Sequence, residues 1–335
     1  MDTMRMKRIG RRKTAIVTAA MVLAALLSGC GSTNWQSDGQ IHVVTTLFCY
    51  YDFAREIIGD TPGIQLKLLL SPGMESHSFE PTPSDIVAIQ HADVFLYNGG
   101  HMESWVDQVL DAGGEPQREV VCMMDQVDAL EEETTEGMEE HETQEHAHEG
   151  ESDAHQQEIE YDEHIWTSPV IAQTLVQRTC DALCQADPAH AEQFQENTAS
   201  YLESLQELDA EIRETVEHAD TNLMIFGDKF PLLYFTQEYG LDYYAAFPGC
   251  STDAEPSVST ISFLIEKCRE ASIPAVYYFE VSSDAVANVI AEESGAKVIQ
   301  FQSCHSITQT DFDRGETYLS LMQRNITALK EGLYR

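Results

Sequence analysis

Short apolar runs alternate with amphipathic stretches along most of the chain after residue 40. Apolar runs predict buried strands, and apolar residues that recur every three or four positions predict helices. Strands that alternate with helices at this spacing are typical of βαβ units with a parallel sheet, whose ligands bind at the carboxyl ends of the strands. The predicted strands are 41–47, 65–70, 94–97, 222–226, 242–247, 275–279 and 297–301, and the predicted helices are 50–58, 82–90, 261–271, 284–294 and 317–333.

One amphipathic stretch is longer than the others and separates the two strand-helix series. From Pro188 to about His218, apolar residues recur at helical spacing without a glycine or an internal proline. A helix of roughly thirty residues spans on the order of 45 Å, enough to connect two domains. We therefore expect an α/β fold with two lobes, residues 41–187 and 220–335, joined by a single rigid helix over 188–219.

The first 40 residues follow a different pattern. A basic segment precedes the apolar run 15–27, which is too short to span a bilayer and fits a secretory signal peptide. The run ends in Leu-Ser-Gly-Cys, the pattern of bacterial lipoproteins, although an ordinary signal peptide is the alternative. We expect a leader over 1–29, then the lipidated Cys30 with a polar tether to residue 40. The chain would then lie at the outer face of the cytoplasmic membrane, or in the periplasm, anchored only by lipid.

Acidic residues dominate the composition and are concentrated in one segment. The 335 residues include 57 Asp and Glu against 19 Lys and Arg, a formal net charge of −38. This balance argues against nucleic acid as a partner, because phosphate binding needs clustered basic residues. Between Asp125 and Glu163 there are 17 acidic residues and no basic one.

The acidic segment also lacks the residues of a hydrophobic core. Because residues 131–157 contain no Ile, Leu, Val, Phe, Trp or Tyr, we expect a disordered loop over 128–160. One interpretation is a loop that captures metal, and the other is an insertion without function. Its histidines are His141, His146, His148 and His155.

Three other histidines lie in loops at the predicted ends of strands or helices. His77 follows the second strand, His164 lies in Asp-Glu-His-Ile-Trp-Thr-Ser-Pro, and His305 follows the strand 297–301. Imidazole is the commonest protein ligand for zinc. A lone loop histidine is more often a surface residue, so these positions alone do not establish a site. The seven cysteines after Cys30 have no framework spacing, and no disulfide is predicted.

Two motifs resemble those of the zinc/manganese substrate-binding proteins of bacterial ABC importers. Residues 72–85 read Pro-Gly-Met-Glu-Ser-His-Ser-Phe-Glu-Pro-Thr-Pro-Ser-Asp, close to the family's Pro-Gly-x-x-x-His-Ser-Tyr-Glu-Pro-Thr-Pro-Ser-Asp. Residues 162–169 resemble its Asp-Pro-His-hydrophobic-Trp-x-x-Pro motif. The similarity extends over residues 41–333, and an acidic, histidine-rich loop is characteristic of the zinc-binding members. The resemblance implies two (β/α) lobes bridged by one long helix, with the metal in the cleft between them.

The resemblance also implies a set of ligands, from which this chain departs in the second lobe. His77 and His164 match the ligands of the first lobe, and His305 takes the place of the family's last aspartate. Where many members have a ligand after the first strand of the second lobe, this chain has Gly227, so the nearest donor, Asp228, is the expected ligand. Three nitrogens and one carboxylate favour Zn²⁺ over Mn²⁺ or Fe²⁺. The reserve ligands are Glu280, Cys304 and Cys250.

The function that the resemblance implies is that of an extracytoplasmic receptor, a monomer and not an enzyme. It would deliver Zn²⁺ to an integral-membrane permease with a cytoplasmic ATPase, and its affinity would fall as the pH drops through ~6.5. A manganese or iron receptor, a metal-dependent adhesin and a passive metal buffer are alternatives with the same site. A secreted zinc hydrolase is disfavoured, because no His-Glu-x-x-His or Gly-x-Ser-x-Gly occurs and four protein ligands would close the site.

Overall fold

A computed structural model describes residues 39–112, 118–138, 160–251 and 255–335 of the chain. The expected leader, Cys30, most of the tether and the four histidines of the acidic segment lie outside these ranges. Among the described residues, no helix combines the length and the apolar character that a membrane crossing requires.

The first lobe is built on a parallel sheet of four strands, in the order β2-β1-β3-β4. Its strands are β1 (Ile41–Thr45), β2 (Ile64–Leu68), β3 (Val94–Tyr97) and β4 (Glu119–Cys122). Its helices are α1 (Phe48–Ile58), α2 (Pro83–Gln90), α3 (Trp105–Ala112) and α4 (Pro169–Ala186), and the long helix α5 (Ala191–Glu217) follows. The order changes direction between β1 and β3, which is where ligands of such sheets bind.

The second lobe repeats this arrangement in a second parallel sheet, in the order β6-β5-β7-β8. Its strands are β5 (Leu223–Phe230), β6 (Asp242–Pro248), β7 (Ala275–Phe279) and β8 (Lys297–Phe301). Its helices are α6 (Leu233–Tyr239), α7 (Val258–Glu270), α8 (Ala285–Ser294), α9 (Gln309–Asp313) and α10 (Tyr318–Leu333). The two lobes thus share one strand order, which confirms the expected fold class.

The helix α5 packs against both lobes along its length. Its 27 residues correspond to about 40 Å at the rise of an α-helix. One face, which includes Phe194, Leu205 and Ile212, is buried. This face contacts α1 and α4 of the first lobe and α10 of the second. The helix is therefore part of the core of both lobes and not an exposed connector.

One hydrophobic core continues from the first lobe into the second, and Trp166 lies where they meet. Its indole has no exposed surface and packs edge-on against Tyr50 of α1. Indole Nε1 donates to the carbonyl of Ser303 at 2.8 Å, and the Tyr318 hydroxyl donates to the carbonyl of Trp166 at 2.7 Å. Buried polar groups are costly without partners, so these bonds fix the lobes in one relative position.

Several helices, one strand and part of the expected disordered loop are ordered in the structure although the sequence did not predict them. The sequence prediction gave no bounds for α3, β4, α4, α6 and α9, and residues 128–138 of the expected disordered loop are packed. The amide of Glu132 donates to the carbonyl of Glu160, and that of Asp162 to the carbonyl of Leu130, each at 2.9 Å. Met138 is buried. Residues 160–162 supply the hydrogen bonds that order the start of this segment. The composition of the segment alone does not show that it has this partner.

We predict that Trp166→Phe lowers the free energy of unfolding by about 1–3 kcal/mol, because it leaves the buried Ser303 carbonyl without its donor. Trp105→Phe is the matched control, since the Trp105 indole nitrogen is buried and has no hydrogen-bond partner in the part of the chain that the structure describes. Urea denaturation followed by circular dichroism measures both variants. Equal losses in the two variants would contradict the role given to the Trp166 bond.

Candidate metal-binding site

His77 lies in a single 3-10 turn that precedes the helix α2. The second half of its motif starts that helix. Thr82 and Asp85 form a reciprocal capping box, and Asp85 also pairs with Lys67 at 2.8 Å. The first half is tied to the second lobe, because the amide of Gly73 donates to the carbonyl of Ile307 at 2.7 Å. The motif therefore combines a helix start with a loop that holds His77 at the boundary of the lobes.

His164 is fixed by the residues that precede it. Its backbone amide and its Nδ1 lie 2.8 and 3.2 Å from Oδ1 of Asp162. The Glu163 carboxylate accepts hydrogen bonds from the amides of His101 and Met102, which follow β3. With Nδ1–H donated to Asp162, Nε2 carries the lone pair that can bind a metal.

His305 is oriented by a chain of two polar side chains. Ser303 Oγ lies 2.5 Å from Nδ1 of His305 and donates to Oε1 of Glu280 at 2.8 Å. The serine hydroxyl therefore accepts from Nδ1–H, which places the lone pair on Nε2. His305 Nε2 is buried and has no hydrogen-bond partner among the described residues. A buried nitrogen without a partner is costly and marks a place for a ligand.

The structure brings His77, His164 and His305 together. The ring centroids of His77 and His164 are 5.6 Å apart, and each of these rings interacts electrostatically with His305. In the described parts of the chain, no three His, Cys, Asp or Glu side chains form a ready-made ion site. The three rings are thus neighbours in a buried cleft and not a preformed coordination sphere.

The environment of the cleft separates the pKa values of the three histidines. Burial, with the nearby His164, His305 and Lys229, lowers the pKa of His77 to about 2. Burial, with His164 and Lys229, lowers the pKa of His305 to about 3. Burial also acts to lower the pKa of His164. The negative charges of Asp162, Glu163 and Glu132 outweigh this effect, so the pKa is raised. His77 and His305 are therefore neutral at physiological pH, as metal ligands must be.

The ends of β5 and β6 lie close to His164. A Cβ on Gly249 would lie 3.1 Å from Cε1 of His164 and 2.8 Å from the carbonyl oxygen of Phe230. Lys229, directly before Phe230, is near enough for its charge to act on His77 and His305. Of the β5 side chains, that of Lys229 is thus the one whose charge lowers the pKa values of His77 and His305.

Asp228 does not join the histidines, in contrast to the sequence prediction. Its carboxylate accepts hydrogen bonds from the amides of Phe279, at 3.0 Å, and Lys229, at 2.8 Å. The reason is a bulge in β5, where two residues between Phe226 and Lys229 face one residue of β6. A bulge redirects the side chains that follow it. Gly227 has a packing role, since a Cβ there would lie 2.6 Å from the backbone of Ala287 in α8.

The reserve ligands are also engaged elsewhere. Glu280 accepts from the amides of Ser303 and Cys304 and from the Ser303 hydroxyl, so in this structure its carboxylate positions His305 through Ser303. Burial raises the pKa values of Cys304 and Cys250, which favours the protonated thiols over the thiolates that bind metals. None of the cysteines in the described ranges forms a disulfide.

Sequence reasoning missed Lys229 and Ser303. The only signal for Ser303 was its position two residues before His305, since a short polar side chain at that distance can reach the imidazole. Lys229 had no signal, because a bulge cannot be read from strand periodicity.

The comparison with protein families gives one match over most of the chain. Residues 43–332 match the model described as "ZnuA: Zinc-uptake complex component A periplasmic". The chain belongs to the ZnuA family. The match includes all three clustered histidines, so the cleft lies within the part of the chain that the family shares.

Relatives within and around the ZnuA family show how far the likeness extends. The high-affinity zinc uptake system protein ZnuA of Bacillus subtilis is 34% identical over 325 residues, 95% of this chain and 96% of the relative. The zinc-binding lipoprotein AdcA of Streptococcus pneumoniae is 32% identical over 321 residues, 96% of this chain. The chain spans only 61% of the length of that relative.

Solved structures agree with the fold of the ZnuA family. The Zn(II)-bound ZnuA-like domain of Streptococcus pneumoniae AdcA superposes with a TM-score of 0.71 at 30% identity. The likeness covers 89% of this chain and 100% of that domain.

The pKa values predict that Zn²⁺ displaces about one proton on binding near pH 6, and not three. The raised pKa of His164 keeps a proton on this ring to a higher pH than usual, whereas His77 and His305 carry none. Affinity should therefore fall about tenfold per pH unit below the pKa of His164. Calorimetry in buffers of different ionisation enthalpy counts the protons. Release of two or three would contradict the pKa values of His77 and His305.

We also predict that Ser303→Ala weakens zinc binding by about 10- to 100-fold, the usual effect of losing an outer partner of a metal ligand. Ser306→Ala is the matched control, since its hydroxyl is buried close by in sequence but has no partner among the described residues. Competition with a zinc chelator measures both affinities. An unchanged affinity for Ser303→Ala would show that the serine does not orient His305.

Proposed function

We propose that this chain is the extracytoplasmic receptor of an ABC importer, which captures Zn²⁺ between its lobes and passes it to a membrane permease with a cytoplasmic ATPase. In this proposal the receptor is a monomer, and lipid on Cys30 anchors it to the membrane. The zinc-related names of its relatives and its membership of the ZnuA family support this function. The acidic segment, with His141, His146, His148 and His155, would raise the local cation concentration.

The observation that carries the proposal is the cluster of His77, His164 and His305. Asp162 and Ser303 form hydrogen bonds with the Nδ1 atoms of His164 and His305. The Nε2 atoms of both rings therefore remain available to coordinate a metal. Such outer partners are typical of histidines that bind metals, because they fix the tautomer and the orientation of the ring.

The donor set favours zinc over other divalent cations. Three neutral imidazoles suit the tetrahedral coordination of Zn²⁺, whereas Mn²⁺, Mg²⁺ and Ca²⁺ prefer more oxygen ligands. We therefore propose His77, His164 and His305 as the protein ligands. Asp228, Glu280 and Cys304 are left out, because their polar groups are bonded or protonated in the structure.

A zinc hydrolase also uses three protein ligands and an open fourth position, but it needs a general base near the bound water. The carboxylates beside the cluster have other partners: Asp162 holds His164, and Glu280 holds Ser303. The described residues therefore offer no base for this second function. The adhesin and the manganese or iron receptor stay predictions.

The proposal predicts that alanine at any one of His77, His164 and His305 reduces zinc affinity by more than about a hundredfold, since a direct ligand contributes more than an outer partner. Calorimetry or chelator competition on the mature protein provides the measurement. His190→Ala is the control, because this ring pairs with Asp187 at a helix start away from the cluster.

The Asp228→Asn variant distinguishes the proposed ligands, His77, His164 and His305, from the set expected from the sequence. The expected set also includes Asp228. Zinc affinity should be little changed in this variant, whereas a large loss would restore Asp228 as a ligand. No zinc binding by the unaltered protein, or equal affinity in the His77→Ala, His164→Ala double variant, would overturn the proposed function.

A further inference from the structure

A small cavity lies beside the 3-10 turn that carries His77. The residues that line it come from the His77 loop and from the segments after β1, β2 and β3, and include Thr46, Leu70, Ser76, Phe79, Glu103 and Trp105. About 10 Å³ of the cavity is open to a water-sized sphere. Among the described residues that line it there is no histidine. The cavity is therefore separate from the histidine cluster but adjoins the turn of one proposed ligand.

Three of the lining side chains have a buried polar atom without a hydrogen-bond partner in the described ranges. These atoms are Ser76 Oγ, Glu103 Oε1 and Trp105 Nε1. Ser76 is 3% exposed and Glu103 is 4% exposed. The Thr46 hydroxyl is near enough to favour the charge of Glu103, but it forms no hydrogen bond of normal geometry to a described residue. Because buried polar atoms nearly always have partners, several of them around one cavity indicate a shared partner from solution.

The chemistry of the three atoms defines this partner. The indole nitrogen of Trp105 can only donate, the ionised carboxylate of Glu103 can only accept, and the Ser76 hydroxyl can do both. A cation would face the N–H of Trp105, and an anion would face the carboxylate. A water molecule accepts from the indole and donates to the carboxylate, and about 10 Å³ is the order of space that one water needs.

The fit does not depend on the charge of Glu103. Burial raises the pKa of this carboxyl group to about 7. A water molecule can bond to either form, since it both donates and accepts. The other oxygen of the group, Oε2, already accepts from the amide of Gly99 at 3.0 Å, which leaves Oε1 for the cavity.

We propose that one water molecule in this cavity bridges Ser76, Glu103 and Trp105, and that the bridge positions the turn of His77 for metal binding. Ser76 directly precedes His77, so a bond that fixes the serine restricts the backbone of the ligand. The three side chains are positioning residues, because they act on the metal only through the water and the turn. The effect on metal affinity rests on the proposed function, whereas the water itself does not.

The bridge also connects the supports of two proposed ligands. The amides of His101 and Met102, directly before Glu103, donate to the carboxylate of Glu163. Glu163 in turn precedes His164. The segment after β3 therefore holds His164 through Glu163, and through Glu103 and the water it holds the turn of His77.

High-resolution crystallography of the zinc-loaded mature protein tests the water directly. We expect one ordered water about 2.7–3.2 Å from Ser76 Oγ, Glu103 Oε1 and Trp105 Nε1. A cavity without such a water, or direct bonds among the three side chains, overturns the proposal.

The two serines that flank His77 test the effect on the metal. Ser76→Ala should weaken zinc binding about tenfold, the lower end of the effect of an outer partner, because the serine acts through a water. Ser78→Ala is the matched control and should bind zinc normally, since its hydroxyl is exposed and lies 3.4 Å from the carbonyl of Glu75. Chelator competition measures both affinities, and circular dichroism verifies that the variants fold.

A double variant shows whether Ser76 and Trp105 act through one shared group. No hydrogen bond joins these two side chains in the structure, so any coupling between them passes through a third group. Trp105→Phe should also weaken zinc binding, and the double variant Ser76→Ala, Trp105→Phe should lose no more affinity than the weaker single variant. Losses that multiply in the double variant would contradict a common water.

The outcomes distinguish this inference from the function on which its effect rests. If the unaltered protein binds no zinc, the proposed function fails, and crystallography of the protein without zinc still decides on the water. If zinc binds but Ser76→Ala and Ser78→Ala have equal affinities, the positioning role fails and the proposed function stands.

Discussion

The interface between the two lobes depends on burial of the aromatic side chains around Trp166. Trp166, Tyr50 and Tyr318 have no exposed surface, and the hydrogen bonds of the indole and of the Tyr318 hydroxyl cross from one lobe to the other. His164 lies two residues before Trp166, and His305 two residues after Ser303, whose carbonyl accepts the indole bond. The contact that joins the lobes therefore also sets the distance between histidines of different lobes, and the proposed metal site depends on this hydrophobic contact.

A contact of this kind limits how the metal can leave. Swinging the lobes apart as rigid bodies would expose this aromatic cluster to water at about 25 cal/mol per Å² of apolar surface. Release of the metal by rigid-body opening of the two lobes is therefore costly. The loops of His77 and His305 are linked by the bond from Gly73 to the carbonyl of Ile307, so a partner that displaces one of them also displaces the other.

The sequence predicted the parts of the molecule that depend on the local spacing of apolar residues or on a short motif. Strand and helix periodicity predicted seven of the eight strands and the helix α5, and the two motifs identified His77 and His164. The failures have a common cause, since they depend on contacts between distant segments. Glu132 is ordered by residue 160, Asp228 is turned toward Phe279, and Glu280 is occupied by Ser303. His305 was found because it follows a strand end, but the serine that orients it acts through a carboxylate 23 residues away.

The bulge in β5 has a consequence for how relatives of this protein can be compared. Two residues there oppose one on β6, so which residue stands at the end of β5 is set by the count of residues along the strand and not by the kind of residue in a given column. Removing a single residue between Phe226 and Lys229 would put every later side chain on the other face of the strand. In such chains a different residue would take the place of Lys229 at the end of β5, so ligand positions are better compared by strand register than by alignment alone.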